Sequence, residues 1–230
     1  MDFKCDELIS EKTDADSRAL TVDPETTLTM DSYLTACTGI DALTHAIEAY
    51  VSTASSPIVD VHALAAIKLI WNNIEQAVSM PSYMPARENM LLGSLQAGLA
   101  FSNASLGAVH ALAHALGGFL DLPHGECNAL LLEHVVRFNI SKASDRYKQI
   151  GEAIGLEMTG ITERQRARRI TDALSHLRSR LGIVNSLAQR GVRSVDIPEL
   201  AFHALNDACL VTNPRHAQID DIKVIYGEAM

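Results

Sequence analysis

Histidines are concentrated in one apolar stretch, Leu106–Phe138, and this stretch constrains the fold more than any other part of the chain. It contains four of the nine histidines: His110, His114, His124 and His134. His110 and His114 are four residues apart, so they lie on the same face of a helix. The side chains around them are almost all apolar, which predicts a helix that is buried on every side. Because an unpaired buried polar group costs about 1–3 kcal/mol, these imidazoles need partners.

The end of this helix and the turn after it can bring in a third imidazole. Gly117 and Gly118 predict the C-terminus of the helix. Pro123-His124-Gly125 then predicts a turn that directs His124 back towards the first two histidines. Three histidines that converge from a helix and a turn favour a metal site, and a metal site needs a further ligand.

Asp41 is the candidate for that further ligand. It precedes His45 by four residues on a predicted helix, so the two side chains can bind one ion. With two of the three later histidines, the pair forms a set of one carboxylate and three imidazoles, which suits Fe(II), Zn(II), Co(II) or Ni(II). Each part also has a structural explanation, because Asp41 can favour the helix dipole and the histidines can be satisfied core residues. The joint occurrence of the three patterns favours the metal.

Other polar residues near these patterns are given weaker roles. Glu48 shares a face with Asp41 and is either an acceptor behind a ligand or a solvent-facing residue. The remaining histidines lie in ordinary surface contexts and are predicted not to bind the metal: His62, His134, His176, His203 and His216.

Composition and charge exclude several classes of function. The chain has 230 residues and a net charge of −9, and an acidic chain without a basic stripe is a poor candidate for binding nucleic acid. No apolar run is long enough to span a bilayer, and the N-terminus lacks the apolar core of a secretory signal. The four cysteines are far apart, without a CxxC pair, which argues against disulfides and a thiolate zinc site. The chain is predicted to be cytoplasmic, with neither nucleic acid nor membrane as a partner.

The rest of the chain predicts an all-α, multi-helix bundle. Residues 19–22, followed by Asp23-Pro24, predict a short strand and a turn without an obvious pairing partner. Helical spacing and start signals predict helices that begin near Thr38–Asp41, at Pro57 and at Pro85, and further helices over 128–139, 142–155, 162–181, 197–207 and 219–229. There is no HExxH, no GxSxG and no glycine-rich loop between a strand and a helix, so no phosphate-binding or dinucleotide-binding loop is predicted.

Several stretches resemble the iron-containing (group III) alcohol dehydrogenases. The resemblance covers about residues 20–230 and rests on DPETTLTM, LTACTGIDALTHAIEAYVS, ENMLLGSLQAGLAFSNASLGAVHALAHALGG, LPHGECNALLLEHVVRFN and ACLVTNPR. It implies the helical C-terminal domain of the dehydroquinate synthase-like fold. It also implies that the metal ligands are Asp41, His45, His110 and His124. His114 matches the histidine near the nicotinamide and the substrate, which implies proton relay or substrate orientation.

The family resemblance further implies NAD(P)-dependent interconversion of short primary alcohols or diols with aldehydes, with Fe(2+) as the metal and Zn(2+) as an alternative. In the family a preceding α/β domain binds the cofactor through a GGGS-type loop, so no cofactor-binding residue is assigned here. Residues 1–30 are interpreted as a polar lead-in and a remnant of that domain, and residues 31–230 as the helical metal-binding catalytic domain.

The expected status of the chain follows from this division. We interpret the chain as a truncated gene product, an excised domain or one part of a split enzyme, which folds and binds metal but has little or no activity alone. The face near His110, His114 and His124 is then expected to support self-association or binding of a separate cofactor-domain chain. Two other functions stay open: a zinc-dependent polyol dehydrogenase or lyase of the same superfamily, and a non-catalytic metal-binding or self-associating module. The TGIDALTHAIEAY and PHGECN motifs favour the alcohol dehydrogenases.

Overall fold

The structure, a computed structural model, describes residues 22–230, and within this range it contains helices and no strand. The α-helices are α1 (Ser32–Val51), α2 (Pro57–Ser79), α3 (Met84–Ala104), α4 (Ala108–Leu120), α5 (His124–Asn139), α6 (Ser144–Ala153), α7 (Glu163–Arg180), α8 (Ile197–Leu205) and α9 (Ile219–Glu228). Two 3-10 helices, Pro24–Thr27 and Ala208–Thr212, complete the regular structure of this range. The predicted all-α bundle is confirmed.

Helix α1 lies at the centre of the bundle, where it packs against α2, α3 and α5. Most of its residues are buried, as are most residues of α5, so both helices are enclosed by their neighbours. Side chains such as Leu43, Ile67 and Leu131 have no exposed surface. Full burial of one such side chain contributes roughly 1.5–3 kcal/mol. The central position of α1 and α5 therefore gives any site between them a rigid frame.

Helix α1 begins earlier than the sequence predicted. Its N-cap is Asp31, whose side chain accepts a hydrogen bond of 2.7 Å from the N–H of Leu34. Thr38, the predicted start, lies inside the helix and donates its hydroxyl to the carbonyl of Leu34 at 2.9 Å. The predicted start was wrong because the Asp31 cap satisfies the helix terminus two turns earlier. Asp41 is consequently a mid-helix residue without a dipole role in the first turn.

The boundary between α4 and α5 also differs from the prediction. Helix α4 continues through the two glycines and ends at Asp121, which takes the left-handed conformation at φ 53° and donates its N–H to the carbonyl of Gly117 at 2.9 Å. Pro123 is the N-cap of α5, and its carbonyl accepts from the N–H of Cys127 at 3.2 Å. His124 is therefore the first residue of a helix rather than part of a free turn.

The other predicted helices are confirmed, with ends that differ by a few residues. Pro57 opens α2 behind the cap Ser56, and a proline lies in the first turn of α3. Thr162 and Gln165 form a capping box at the start of α7. The predicted strand lies outside the described residues except for Val22, which has no regular structure.

None of the helices in the range 22–230 is both long enough and apolar enough to cross a bilayer.

Candidate metal centre

Three helices bring the four predicted ligands together. Helix α1 carries Asp41 and His45 one turn apart, α4 carries His110, and α5 begins with His124. The Nε2 atoms of His110 and His124 both lie 3.6 Å from Oδ1 of Asp41. This distance is too long for a hydrogen bond. It matches the separation of two ligands on one ion, since metal–nitrogen and metal–oxygen bonds are about 2.0–2.2 Å long.

His45 lies at the edge of this group and is held by aromatic contacts. Its Nδ1 lies 4.0 Å from Oδ2 of Asp41, and its ring centroid is 4.4 Å from that of His110. The ring of Phe101 stacks on His45 with centroids 4.6 Å apart and planes inclined by 23°. The ligand atoms of the other three residues lie within 4.8 Å of one another, and His45 lies outside this group, so its ring has to move if it is to bind the same ion.

Glu48 supports His110 from behind. Its Oε2 lies 2.5 Å from Nδ1 of His110, and its Oε1 accepts a hydrogen bond of 2.6 Å from the N–H of Val109. The side chain is only 3% exposed, so of the two roles considered for Glu48 the supporting acceptor is correct and the solvent-facing role is wrong. Such a carboxylate fixes the proton on Nδ1 and directs the lone pair of Nε2 towards the other ligands.

The amide of Asn128 shows where the lone pairs of the cluster converge. Its Nδ2 donates to Oδ1 of Asp41 at 2.5 Å and lies 3.2 Å from Nε2 of His110 and 3.0 Å from Nε2 of His124. The other polar atom of this amide, Oδ1 of Asn128, is buried and has no hydrogen-bond partner. Oδ1 of Asp41 and the two Nε2 atoms thus converge on one point, as they would around a cation once His110 has lost its Nε2 proton, so the residues present fit a divalent metal. Asn128 was not among the predicted site residues, although it lies one helical turn after His124.

The pKa values of two ligands favour the forms that bind a cation. Burial alone raises the pKa of Asp41, but the neighbouring imidazoles, with His110 the foremost, outweigh it and lower the pKa to about 2. Burial and the charge of His110 lower the pKa of His45 to about 4. Asp41 is therefore ionised and His45 neutral at neutral pH, as metal binding requires.

The pKa of His110 is raised, unlike the pKa values of Asp41 and His45. Burial alone lowers its pKa, but the carboxylates of Glu48 and Asp41 outweigh burial and raise the pKa to about 9. A cation that binds at Nε2 of His110 therefore displaces a proton.

His114 lies on the open side of the cluster. Its side chain is 44% exposed, and its Nδ1 lies 2.8 Å from Oδ2 of Asp207. Its ring stacks on that of His124, with centroids 5.3 Å apart. Burial opposes ionisation of Asp207, but hydrogen bonds from the Cys209 N–H and from His114 outweigh it and hold the pKa of Asp207 below its usual value. Asp207 was not among the predicted site residues, because it lies far along the chain from His114, directly before the ACLVTNPR stretch.

The prediction that five histidines are not metal ligands stays a prediction, and the structure describes only their surroundings. One detail of that prediction was wrong. His134 is buried rather than on the surface, and its ring lies between the carboxylates of Glu133 and Glu228. Its position in the buried stretch of α5 explains the difference.

Comparisons with known proteins show which family the chain is similar to. The model of the C-terminal part of the Fe-containing alcohol dehydrogenase family matches residues 35–230. The 1,3-propanediol dehydrogenase of Klebsiella pneumoniae is 43% identical over 207 residues, which are 90% of this chain and 54% of the relative. Lactaldehyde reductase of Escherichia coli is 39% identical over 200 residues, which are 87% of this chain and 52% of the relative.

A solved structure gives the same result. The crystal structure of a 1,3-propanediol oxidoreductase superposes with a TM-score of 0.88 at 42% identity, and the match covers 90% of this chain and 55% of that chain. The chain spans about half the length of the curated relatives it matches. The range that the family model matches, 35–230, includes the positions of all four predicted ligands.

Proposed function

Because the chain belongs to the iron-containing alcohol dehydrogenase family, we propose that its helical bundle is the metal-binding catalytic half of an NAD(P)-dependent alcohol dehydrogenase. The convergence of Asp41, His45, His110 and His124 from three helices carries this proposal. The names of relatives specify 1,3-propanediol, methanol and lactaldehyde, which are all small molecules. Short primary alcohols or diols and the corresponding aldehydes are therefore the proposed substrates.

The same proposal assigns residues 31–230 to the catalytic domain. Helix α1 supports this boundary, because it begins at Ser32 behind the Asp31 cap and is continuous to the ligands. Residues 1–30 keep their interpretation as a lead-in, most of which lies outside the described residues.

The proposed metal is Fe(2+), with Zn(2+) as the alternative, because a carboxylate and three imidazoles suit either ion. When bound, the ion would supply Lewis-acid chemistry that lowers the pKa of an alcohol, which would favour hydride transfer to the nicotinamide. Asp41, His45, His110 and His124 would hold it, and Glu48 would keep His110 in the tautomer that leaves Nε2 free to bind.

His114 is proposed to move the proton. It lies next to the ligand rings but outside the ligand set, and its partial exposure connects it to solvent. Asp207 orients the ring through Nδ1, which leaves Nε2 available to exchange a proton with the substrate oxygen. A general acid–base residue in such a position contributes roughly 10²–10⁴-fold to the rate.

The proposal is tested by restoring a cofactor-binding domain. We expect the 230-residue chain alone, loaded with iron, to show little or no NAD reduction with 1,3-propanediol. A fusion of residues 31–230 to the cofactor-binding half of the Klebsiella pneumoniae relative is expected to reduce NAD with this substrate. Asp41→Asn should abolish the activity and the bound metal together, whereas His114→Asn should lower kcat by about 10²-fold or more with the metal retained.

Three results would count against this function. A metal-loaded, folded fusion without hydride transfer would favour the non-catalytic module. Equal turnover of the chain alone and of the fusion would contradict the proposed division of labour between the domains. A His114→Asn fusion with unchanged kcat and an unchanged pH profile would exclude His114 from proton transfer.

A further inference from the structure

A second group of potential ligands lies beside the first. His114, Asp207 and Cys209 each offer one ligand atom, and these atoms all lie within 4.8 Å of one another. None of the three belongs to the set of Asp41, His45, His110 and His124. The group therefore offers a nitrogen, an oxygen and a sulfur atom to a separate ion.

Two elements fix the geometry of this group. His114 lies in α4, and Asp207 is the N-cap of the 3-10 helix Ala208–Thr212, which packs against α4. The carboxylate of Asp207 is held at both oxygens, since Oδ1 accepts from the N–H of Cys209 at 2.8 Å and Oδ2 lies 2.8 Å from Nδ1 of His114. These hydrogen bonds position the ring of His114 and the carboxylate of Asp207, and they hold the backbone of Cys209 beside that carboxylate.

The chemistry of these atoms favours a thiophilic ion. Zinc binds imidazole at about 2.0–2.1 Å, carboxylate at about 2.0–2.2 Å and thiolate at about 2.3 Å, so its ligand atoms lie roughly 3.3–3.8 Å apart in a tetrahedron. Small side-chain rotations bring atoms that lie within 4.8 Å of one another to this spacing. His114 is 44% exposed, which leaves a path for the ion and room for a water molecule as the fourth ligand.

Metal binding by Cys209 has to displace the proton of its thiol. Burial, together with the hydrogen bond and the charge of Asp207, raises the pKa of Cys209 to about 12. A protonated thiol is a poor nucleophile. An ion that binds the sulfur displaces the thiol proton, which passes to solvent.

We propose that His114, Asp207 and Cys209 form a second divalent-metal site, which binds zinc or a similar thiophilic ion independently of the Asp41 site. The first site contains no sulfur ligand, so the two sites prefer different ions. If His114 transfers the proton in the proposed function, an ion at the second site withdraws it from catalysis, and zinc then acts as an inhibitor. Occupancy of the second site itself does not depend on that function.

Cobalt(II) titration distinguishes the two sites. The whole chain carrying Cys5→Ser is titrated anaerobically with Co²⁺, and the sulfur-to-cobalt charge-transfer absorption is recorded. Cys5 is replaced because its thiol would contribute background, whereas Cys37 and Cys127 are at most 2% exposed. We expect the final absorption to correspond to one thiolate-bound cobalt ion per chain. The absorption should disappear in Cys209→Ser and in His114→Asn, and it should persist in Asp41→Asn.

Each variant has to be folded for its cobalt spectrum to be compared with that of the parent chain. Circular dichroism of each variant shows whether it has folded, and Cys209→Ser changes a single atom. Absence of the absorption in the parent chain, or its persistence in Cys209→Ser, would overturn the second site. Its persistence in His114→Asn would overturn the proposed ligand set. Its loss in Asp41→Asn, in a folded chain, would overturn the independence of the two sites.

Discussion

Gly125→Ala is expected to remove the metal site and to lower the free energy of unfolding by about 1–3 kcal/mol, the usual cost of overpacking a core. A Cβ atom at position 125 would lie 2.3 Å from the carbonyl oxygen of Cys37 and 3.3 Å from Cβ of Asp41. The carbonyl belongs to the backbone of α1, so it cannot rotate away as a side chain could. The start of α5 would have to move off α1, and His124, the preceding residue, would move away from Asp41.

The measurements for Gly125→Ala are urea unfolding and metal content. Gly98→Ala is the matched control, because a Cβ at that position in α3 meets no atom within 4 Å. Alanine is the better helix former, so the control should be unchanged or more stable by about 0.5–1 kcal/mol. A Gly125→Ala chain that keeps both its stability and its metal would show that α5 does not depend on this close approach.

Glu48→Gln is expected to weaken metal binding by about 10–100-fold, the range found when a residue that orients a metal ligand is changed. The two carboxylate oxygens of Glu48 serve Nδ1 of His110 and the N–H of Val109. Glutamine has one acceptor oxygen, so its amide group would face one of these two donors. An unsatisfied buried donor costs about 1–3 kcal/mol, and the free energy of unfolding should fall accordingly.

The affinity of the Glu48→Gln chain is measured by competition with a chelator, and its stability by urea unfolding. Glu75→Gln is a suitable control, because Glu75 is 49% exposed and pairs with Arg180 on the surface. An exposed ion pair contributes about 0–1 kcal/mol, so this variant should bind metal as the parent does. Equal affinities of the Glu48→Gln chain and the parent would contradict the supporting role of Glu48.

Local patterns predicted those features that depend on neighbours in the sequence. Asp41 and His45 share a helix face, Pro57 and Thr162 mark helix starts, and the structure shows each of these features. The predicted start of α1 was wrong because Asp31, an earlier residue of a capping type, is the N-cap of the helix.

Contacts between distant parts of the chain could not be predicted in this way. Asp207 meets His114 across 93 positions and Asn128 meets Asp41 across 87, so only the packing of the helices brings them together. The role of Glu48 likewise stayed undecided until the burial of α1 between its neighbours excluded solvent. The spacing of the three later histidines did not show which two of them bind the metal together with Asp41. The resemblance to the family supplied that choice.

The central claim is that Asp41, His45, His110 and His124 hold one divalent ion. It is tested most directly by elemental analysis of the anaerobically purified chain in a Cys209→Ser background, which excludes the second site. We expect about one iron or zinc per chain, lost in His124→Ala and retained in His203→Ala, whose side chain is 61% exposed. Iron would favour the alcohol dehydrogenase chemistry over the zinc-dependent alternatives. A parent chain without stoichiometric metal, or a His124→Ala chain that retains it, would contradict the account.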